Sequence, residues 1–435
     1  MSATLIASPG STVPQLALPS WLQAAGDHVW GDWRLFLPLG VVGLLSWSVW
    51  LFRKLLSAVT KPVVNDFRTT TSVVVPSFHE DPDVIDRCLA TWLAQDPDEV
   101  IVVLDVDDHE AYRRLVARDD ERVHAIVFKH HGKRSALGVG IRAATSELVV
   151  LTDSDTAWEP GLLAAVQMPF VDEKVGGVGT RQNVYLPTSS IWRRVADWII
   201  DLRYVDYVPA TSRGGGVVCL SGRTAAYRRS AVMPVLEDLE HEFFLGRECV
   251  AGDDGRLTWL ILSQGLKTVH QDSARALSMF PGTFRAFCKQ RVRWSRNSYR
   301  CYLTALWRGW LWRVPIVSQI TVMQILLTPV TMFAAIYYVA VAAQGPSAWT
   351  AAALSLGWLV VGRGIRSISH LWRRPSDLLL LPLVTLVVAF IAFPIKLYAL
   401  ATMNKQGWLT RSATGVGGEG QSEASLTAEV SHAAA

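Results

Sequence analysis

Three acidic groups in this chain have types and spacings that could do chemistry. Thr152-Asp153-Ser154-Asp155-Thr156 follows directly on the β-branched run Leu148–Leu151. Two carboxylates at i and i+2 on a strand-to-loop turn can hold one hard divalent cation together with a diphosphate. Mg2+ and Mn2+ both take oxygen ligands and leave positions open for phosphate oxygens and water. Asp155 and Asp153 are therefore candidate metal ligands, although a merely solvated acidic turn has the same pattern. Asp105, Asp107 and Asp108 follow a second run, Val100–Leu104. An acceptor there can take the imide N–H of a uracil, or the aspartates can simply favour the turn. Asp253 and Asp254 lie in Gly252-Asp253-Asp254-Gly255. One of them near an acceptor hydroxyl can serve as general base, and the same residues read as a helix start.

Cations and aromatics complete the set. Gln290-Arg291-Val292-Arg293-Trp294 places Arg293 where it can neutralise a departing diphosphate and offers the Trp294 face to a sugar ring; a plain basic interfacial helix fits too. His131-Gly132-Lys133-Arg134 sets two cations in a loop after the run Ala125–Phe128. Lys405-Gln406-Gly407-Trp408-Leu409-Thr410-Arg411 lies just past the last apolar stretch, as a juxtamembrane anchor or as a lid over a nucleotide.

These residues need a scaffold. Residues 68–275 read as a soluble α/β domain in which Thr71–Val75, Val100–Leu104, Ala125–Phe128 and Leu148–Leu151 are buried parallel strands. Acidic residues follow two of these strands, where open α/β sheets bind ligands. The rest is apolar: half of the 435 residues are hydrophobic, 18% are charged and mean hydropathy is +0.23. Leu35–Phe52 carries no charge and is followed at once by Arg53 and Lys54, which predicts a transmembrane helix over 32–57 with residues 1–31 outside and the next domain in the cytoplasm. Residues 277–313 interleave cations with aromatics, as an amphipathic interfacial helix does. Apolar stretches at 315–342, 349–362 and 378–402 predict membrane segments over 314–402. Pro394 and Lys396 favour a broken or re-entrant last segment. Residues 412–435 read as a disordered tail. A net charge of +4 without a basic stripe argues against nucleic acid as a partner. Five scattered cysteines fit neither a zinc site nor a disulfide framework.

Taken in this order, the motifs resemble the processive family-2 glycosyltransferases, and among them the hyaluronan synthases, over about Val73 to Arg411. The resemblance implies a GT-A-type α/β domain docked on interfacial helices beneath a transmembrane helical bundle in the plasma membrane. It implies a uridine diphosphate sugar as donor, a growing polysaccharide as acceptor, lipids as surroundings and Mg2+ or Mn2+ as cofactor; the oligomeric state stays open. Pro76-Ser77-Phe78-His79-Glu80 is similar to the family's opening motif, which puts Phe78 and Glu80 at the nucleotide. Asp105 or Asp107 falls at the uridine position, and Lys133 and Arg134 match the basic loop. Asp153 and Asp155 match the D-x-D motif. Asp253 and Asp254 match the acceptor motif, with Asp254 as base. Gln290, Arg293 and Trp294 match Q-x-x-R-W, and Trp408, Thr410 and Arg411 match a W-G-T-R gating element over 403–411. Cys219 and Ser221 fall at the acceptor floor. Leu409 for Gly, Arg223-Thr224 for Pro-Leu beside that floor, and Leu-Asp-Val-Asp-Asp for Asp-Asp-Gly depart from the pattern. The implied product is hyaluronan, with a chitin-like or cellulose-like polymer or a single transfer to a lipid as alternatives.

Overall fold

The computed structural model describes residues 40–129, 131–342 and 348–405. The expected strands are present as β1 (Thr71–Pro76), β2 (Glu99–Asp105), β3 (Val123–Phe128) and β4 (Leu148–Thr152), except that β3, at the edge of the sheet, is only partly covered rather than buried. All pair in parallel, with β1 between β2 and β4 and β3 outside β2. Every residue of β1, β2 and β4 is buried, so these strands read as continuous apolar runs. Their side chains still alternate: Val74 packs into one core with Leu137, Ile141 and Trp198, while Val73 and Val75 pack into a second with Leu89, Trp92 and Phe170.

Six further strands follow: β5 (Thr156–Trp158), β6 (Val175–Val184), β7 (Thr224–Arg228), the small hairpin β8 (Phe243–Phe244) and β9 (Arg247–Glu248), and β10 (Lys267–Ser278). The main sheet runs β3-β2-β1-β4-β7-β6-β10-β5. β7 is antiparallel to both β4 and β6, which makes the sheet mixed. β6 is rich in glycine because its neighbours lie close: a Cβ at Gly177 would come within 2.8 Å of Leu220 and 3.1 Å of the ring of Tyr227, its cross-strand partner on β7. Helices α1 (Gly40–Ala58), α2 (Lys133–Ala143), α3 (Ile191–Leu202), α4 (Asp253–Ser263), α5 (Phe284–Trp307), α6 (Ile316–Ala342) and α7 (Ala348–Arg366) carry the rest of the argument.

Three expectations change in detail. The domain extends to Ser278, since β10 pairs with β6 up to Val184. Helix α5 does not present one apolar stripe: its buried residues mix Phe287, Tyr299 and Tyr302 with Arg296 and Arg300, because it is clamped between α4 and the last apolar helix. The Lys133-Arg134 pair opens α2 rather than lying in a loop.

Among the described residues, two helical runs are long and apolar enough to cross a membrane, Ile316–Phe333 and Pro375–Ala401. The second is irregular. A π-helical turn at Val387–Ile391 precedes Pro394, and such a wide turn accommodates a proline ring that would clash with a regular helix. The C-terminal part of α1 lies against the domain, with Lys54 Nζ 2.6 Å from Asp206 Oδ1 and Ser57 Oγ donating to Asp206 O. The expectations for 1–39 and 406–435 fall outside the described residues.

Candidate active site

The C-terminal ends of β1 and β4, the starts of α2 and α4, the face of α5 and the apolar run Val387–Lys396 enclose a cavity of about 700 Å3. Of the residues singled out in the sequence, Phe78, Glu80, Lys133, Asp153, Asp155, Cys219, Ser221, Asp253, Asp254, Gln290, Arg293 and Trp294 all line it.

The Asp153–Asp155 turn is fixed by its neighbours. Asp153 N and Thr152 Oγ1 both donate to Arg223 O, tying the turn to the start of β7. Ser154 Oγ donates to Glu80 Oε2 at 3.0 Å, which joins the ends of β4 and β1. Lys133, the first residue of α2, places its ammonium 2.7 Å from Asp153 Oδ1 and 3.0 Å from Asp253 Oδ2. Burial disfavours that charge, but the two carboxylates outweigh it and raise the lysine pKa.

The second acidic motif opens α4. Gly252 caps the helix at φ +84°, and a Cβ there would come within 3.0 Å of Asn297, so only glycine fits. Asp254 Oδ1 accepts from Gly255 N at 2.8 Å. Thr258 Oγ1 donates to Asp254 O and accepts from Leu220 N, which keys the segment carrying Cys219 and Ser221 to this turn. The Cys219 thiol lies 3.8 Å from Asp254 Oδ2. Burial, with the Asp254 charge added, pushes that thiol up to about 12. The two aspartates diverge. Burial opposes ionisation of Asp253, but Lys133 overrides it and holds this carboxyl below the usual range. Burial and then the charge of Asp253 push Asp254 above it. Paired carboxylates driven apart in this way mark acid–base sites.

On α5, Trp294 meets the Phe280 ring edge-on at 6.2 Å between centroids. The guanidinium carbons of Arg223 and Arg291 lie 5.6 Å and 4.9 Å from the same Trp294 ring. Gln290 Oε1, Arg293 Nε, and Nε and Nη2 of Arg291 are shut off from solvent without a hydrogen-bond partner among the described residues.

Other candidates lie elsewhere. Arg134 is 3% exposed and turned away from the cavity: its Nη2 donates to Glu242 Oε2 at 2.8 Å, to Ala251 O at 3.0 Å and to Gly252 O at 3.2 Å. Successive helical positions diverge by about 100°, so Lys133 meets the cavity and Arg134 braces the turn behind it. Asp105 and Asp107 sit at the end of β2 but do not line the cavity; Asp105 Oδ1 caps the turn through Asp107 N at 3.1 Å. Trp408, Thr410 and Arg411 are outside the described residues. Sequence reasoning missed Arg203 and, as functional groups, Arg223, Arg291 and Lys396, all of which line the cavity. A lysine within an apolar helix was the legible signal for Lys396.

Among the described residues no group of three or more His, Cys, Asp or Glu side chains is arranged to hold a metal unaided. The donors of the turn are nonetheless carboxylates, which suits Mg2+ or Mn2+ bound by one or two side chains with phosphate and water completing the shell.

Known proteins resemble this chain in sequence and in fold. The chain is 30% identical over 364 residues to an N-acetylglucosaminyltransferase of Rhizobium leguminosarum bv. viciae, covering 80% of this chain and 82% of that protein. It is 30% identical over 358 residues to an N-acetylglucosaminyltransferase of Mesorhizobium japonicum, covering 79% and 82%. A mannosyltransferase of Pyrobaculum calidifontis, solved with GDP-Man and Mn2+, superposes with a TM-score of 0.56 at 22% identity over 79% of this chain and 95% of that one. The catalytic domain thus has a GT-A-like fold. The description "Glycosyltransferase like family 2" matches residues 68–297, more than half of the chain, and the protein belongs to that family.

Proposed function

We propose that this glycosyltransferase is a membrane-integrated, processive and inverting enzyme that takes UDP-N-acetylglucosamine as a donor and builds a β-linked polysaccharide. The observation that carries the reading is Asp254. Its carboxylate has a raised pKa and shares one cavity with the Asp153–Asp155 turn, Lys133 and the Gln290–Arg293–Trp294 face. An acceptor sugar resting on Trp294 presents its hydroxyl to Asp254. The hydroxyl oxygen attacks the anomeric carbon, its proton passes to Asp254, and the bond to the diphosphate oxygen breaks with its electron pair. An α-linked donor gives a β-linked product. Lys133 and Arg293 take up the charge that grows on the leaving diphosphate. Mg2+ or Mn2+ held by Asp155 with Asp153 would supply further charge neutralisation there.

The names of the curated relatives support N-acetylglucosamine, which makes a chitin-like chain one product. A specific feature favours a second reading, hyaluronan. Arg203, Arg223, Arg291, Arg293 and Lys396 line the cavity, and none forms an ion pair among the described residues. A wall of this kind suits a glycan bearing carboxylates better than a neutral one. The helical runs Ile316–Phe333 and Pro375–Ala401, with α1 and α7, would carry the product across the plasma membrane from a cytoplasmic catalytic domain.

Purified protein in nanodiscs with Mg2+ or Mn2+ is given UDP-GlcNAc, UDP-GlcA or both, and the product is digested with hyaluronan lyase. A lyase-sensitive polymer formed only from both donors supports hyaluronan. A resistant polymer from UDP-GlcNAc alone supports the chitin-like product. No turnover with any donor overturns the proposal.

A further inference from the structure

Behind the cavity a second arginine reaches the turn that Arg134 braces. Arg300 lies on α5, 3% exposed and not among the cavity-lining residues. Its Nη2 donates to Asn297 Oδ1 at 2.5 Å and to Ala251 O at 3.4 Å, and its Nη1 donates to Met403 O at 2.7 Å. Each partner has a distinct place. Ala251 is two residues before Asp253, and its carbonyl is also held by Arg134. Asn297 lines the cavity and presses against Gly252, the left-handed cap on which the direction of Asp253 and Asp254 depends. Met403 lies just past the end of the apolar run Pro375–Ala401. One turn earlier on α5, Arg296 Nε donates to Thr402 Oγ1 at 3.0 Å, doubling the link to that helix end.

We infer that Arg300 is a positioning residue for Asp254, fixing the 251–254 turn to the cytoplasmic end of the last apolar helix. A planar guanidinium suits the task, since its fork reaches three acceptors in fixed directions, as an ammonium cannot. The physical consequence is coupling: a shift of the Met403 carbonyl is transmitted through one rigid group to the carbonyl that precedes the base. Glycine at 252 makes the turn pliable, so the base needs bracing from outside. The kinetic part of this inference rests on glycosyl transfer at this site; the structural part does not.

The test uses full-length protein in nanodiscs, as Arg300→Met and Arg300→Lys, with two readouts. In hydrogen exchange, the amides of residues 251–256 should exchange at least about tenfold faster in the Met variant, while those of β1 and β4 hold their wild-type rates. In steady-state transfer, kcat should fall about 10- to 100-fold with donor KM within about twofold, because misplacing a base by about 1 Å costs that much without touching donor binding. Arg300→Lys should recover part of the loss, and it replaces the Met variant should that one not fold. Unchanged exchange at 251–256 overturns the inference, and so does a rise in donor KM with kcat retained. If the wild-type protein transfers no sugar, the functional proposal fails and the exchange result alone decides the clamp.

Discussion

Lys133 Nζ lies 3.0 Å from Asp253 Oδ2, across the gap between the first turns of α2 and α4. The same nitrogen reaches Asp153, so one ammonium joins acidic motifs 100 residues apart in the chain. It also helps to separate two adjacent carboxylates in titration: burial and then the charge of Asp253 push Asp254 up, while at Asp253 burial is overridden by Lys133, which holds that carboxyl low. An enzyme with a base at 254 needs this asymmetry.

Replacing Lys133 by Met removes the cation from between a largely buried Asp253 and a half-buried Asp153. Breaking such a pair costs about 3 kcal/mol, and transfer should fall about 100-fold or more with loss of charge stabilisation at the diphosphate. The pH sign follows from Asp253, whose folded pKa is depressed. Its contribution is present above the ordinary carboxylate pKa, about 4, and is lost as pH falls through the lower folded value. The difference in thermal stability between wild type and Lys133→Met should therefore be full at neutral pH and shrink below about pH 4. A constant difference down to pH 2 would contradict the pairing.

Asp254→Asn should lower transfer by about 100- to 10,000-fold while UDP binding, read by calorimetry, stays at the wild-type level. Wild-type kcat should fall as pH drops through the raised pKa of Asp254, so its acid limb lies above the ordinary carboxylate range. The residual activity of the variant should lack that limb. Stability moves the opposite way to activity. A carboxyl whose folded pKa is raised favours the protonated fold, and that contribution is lost as pH rises through the folded value. The neutral amide should thus make the protein more heat-resistant than wild type at pH 7 and no different at pH 3. Retained transfer would remove Asp254 from the role of base.

Metal binding should depend on the nucleotide. With no cluster of three protein ligands among the described residues, Mn2+ alone should bind weakly, and UDP should tighten it at least about tenfold by adding phosphate oxygens. The free Mn2+ signal in electron paramagnetic resonance reads this directly. Asp155→Asn should abolish the UDP-dependent loss of that signal, and EDTA should stop transfer in the wild-type protein. Tight Mn2+ binding without UDP would require a ligand set other than this turn.

How much was legible in the sequence divides along physical lines. β1, β2 and β4 announced themselves because strands covered on both faces must be apolar throughout, and β3, a half-covered edge strand, through its β-branched residues alone. β6 did not, since Gly176, Gly177 and Gly179 are there for the close approach of Leu220, Leu266 and Tyr227, and glycine reads as a breaker. The acidic motifs and Gln290-Arg293-Trp294 could be named because their spacing is local. Arg134 was misread for the same reason: its neighbour Lys133 faces the cavity, but the partners that draw it away, Glu242 and the carbonyls of Ala251 and Gly252, are more than 100 residues distant. Arg203 gave no signal, because its place beside Cys219 depends on a π-helical turn at Arg203–Tyr207 that no periodicity reveals.

His370 supports a last prediction, away from the cavity. Its ring is wholly buried, with Nδ1 2.8 Å from Asp201 Oδ2 and Nε2 2.9 Å from Asp377 Oδ2. It packs at a tilt against Trp198, 4.7 Å between ring centroids, and Trp198 Nε1 donates to Ser367 Oγ. Arg181 and Arg373 also reach Asp201, and Arg194 reaches Asp377. The connector between α7 and the last apolar run is thus fastened to α3, whose Ile199 and Ile200 form part of the cavity wall. His370→Ala leaves two carboxylates facing a void and should cost about 3–5 kcal/mol in chemical unfolding. His370→Gln, which can still hydrogen-bond one carboxylate, should cost roughly half as much. If His370→Ala unfolds at the wild-type midpoint, the arginines alone hold the connector and the ring serves only to fill space.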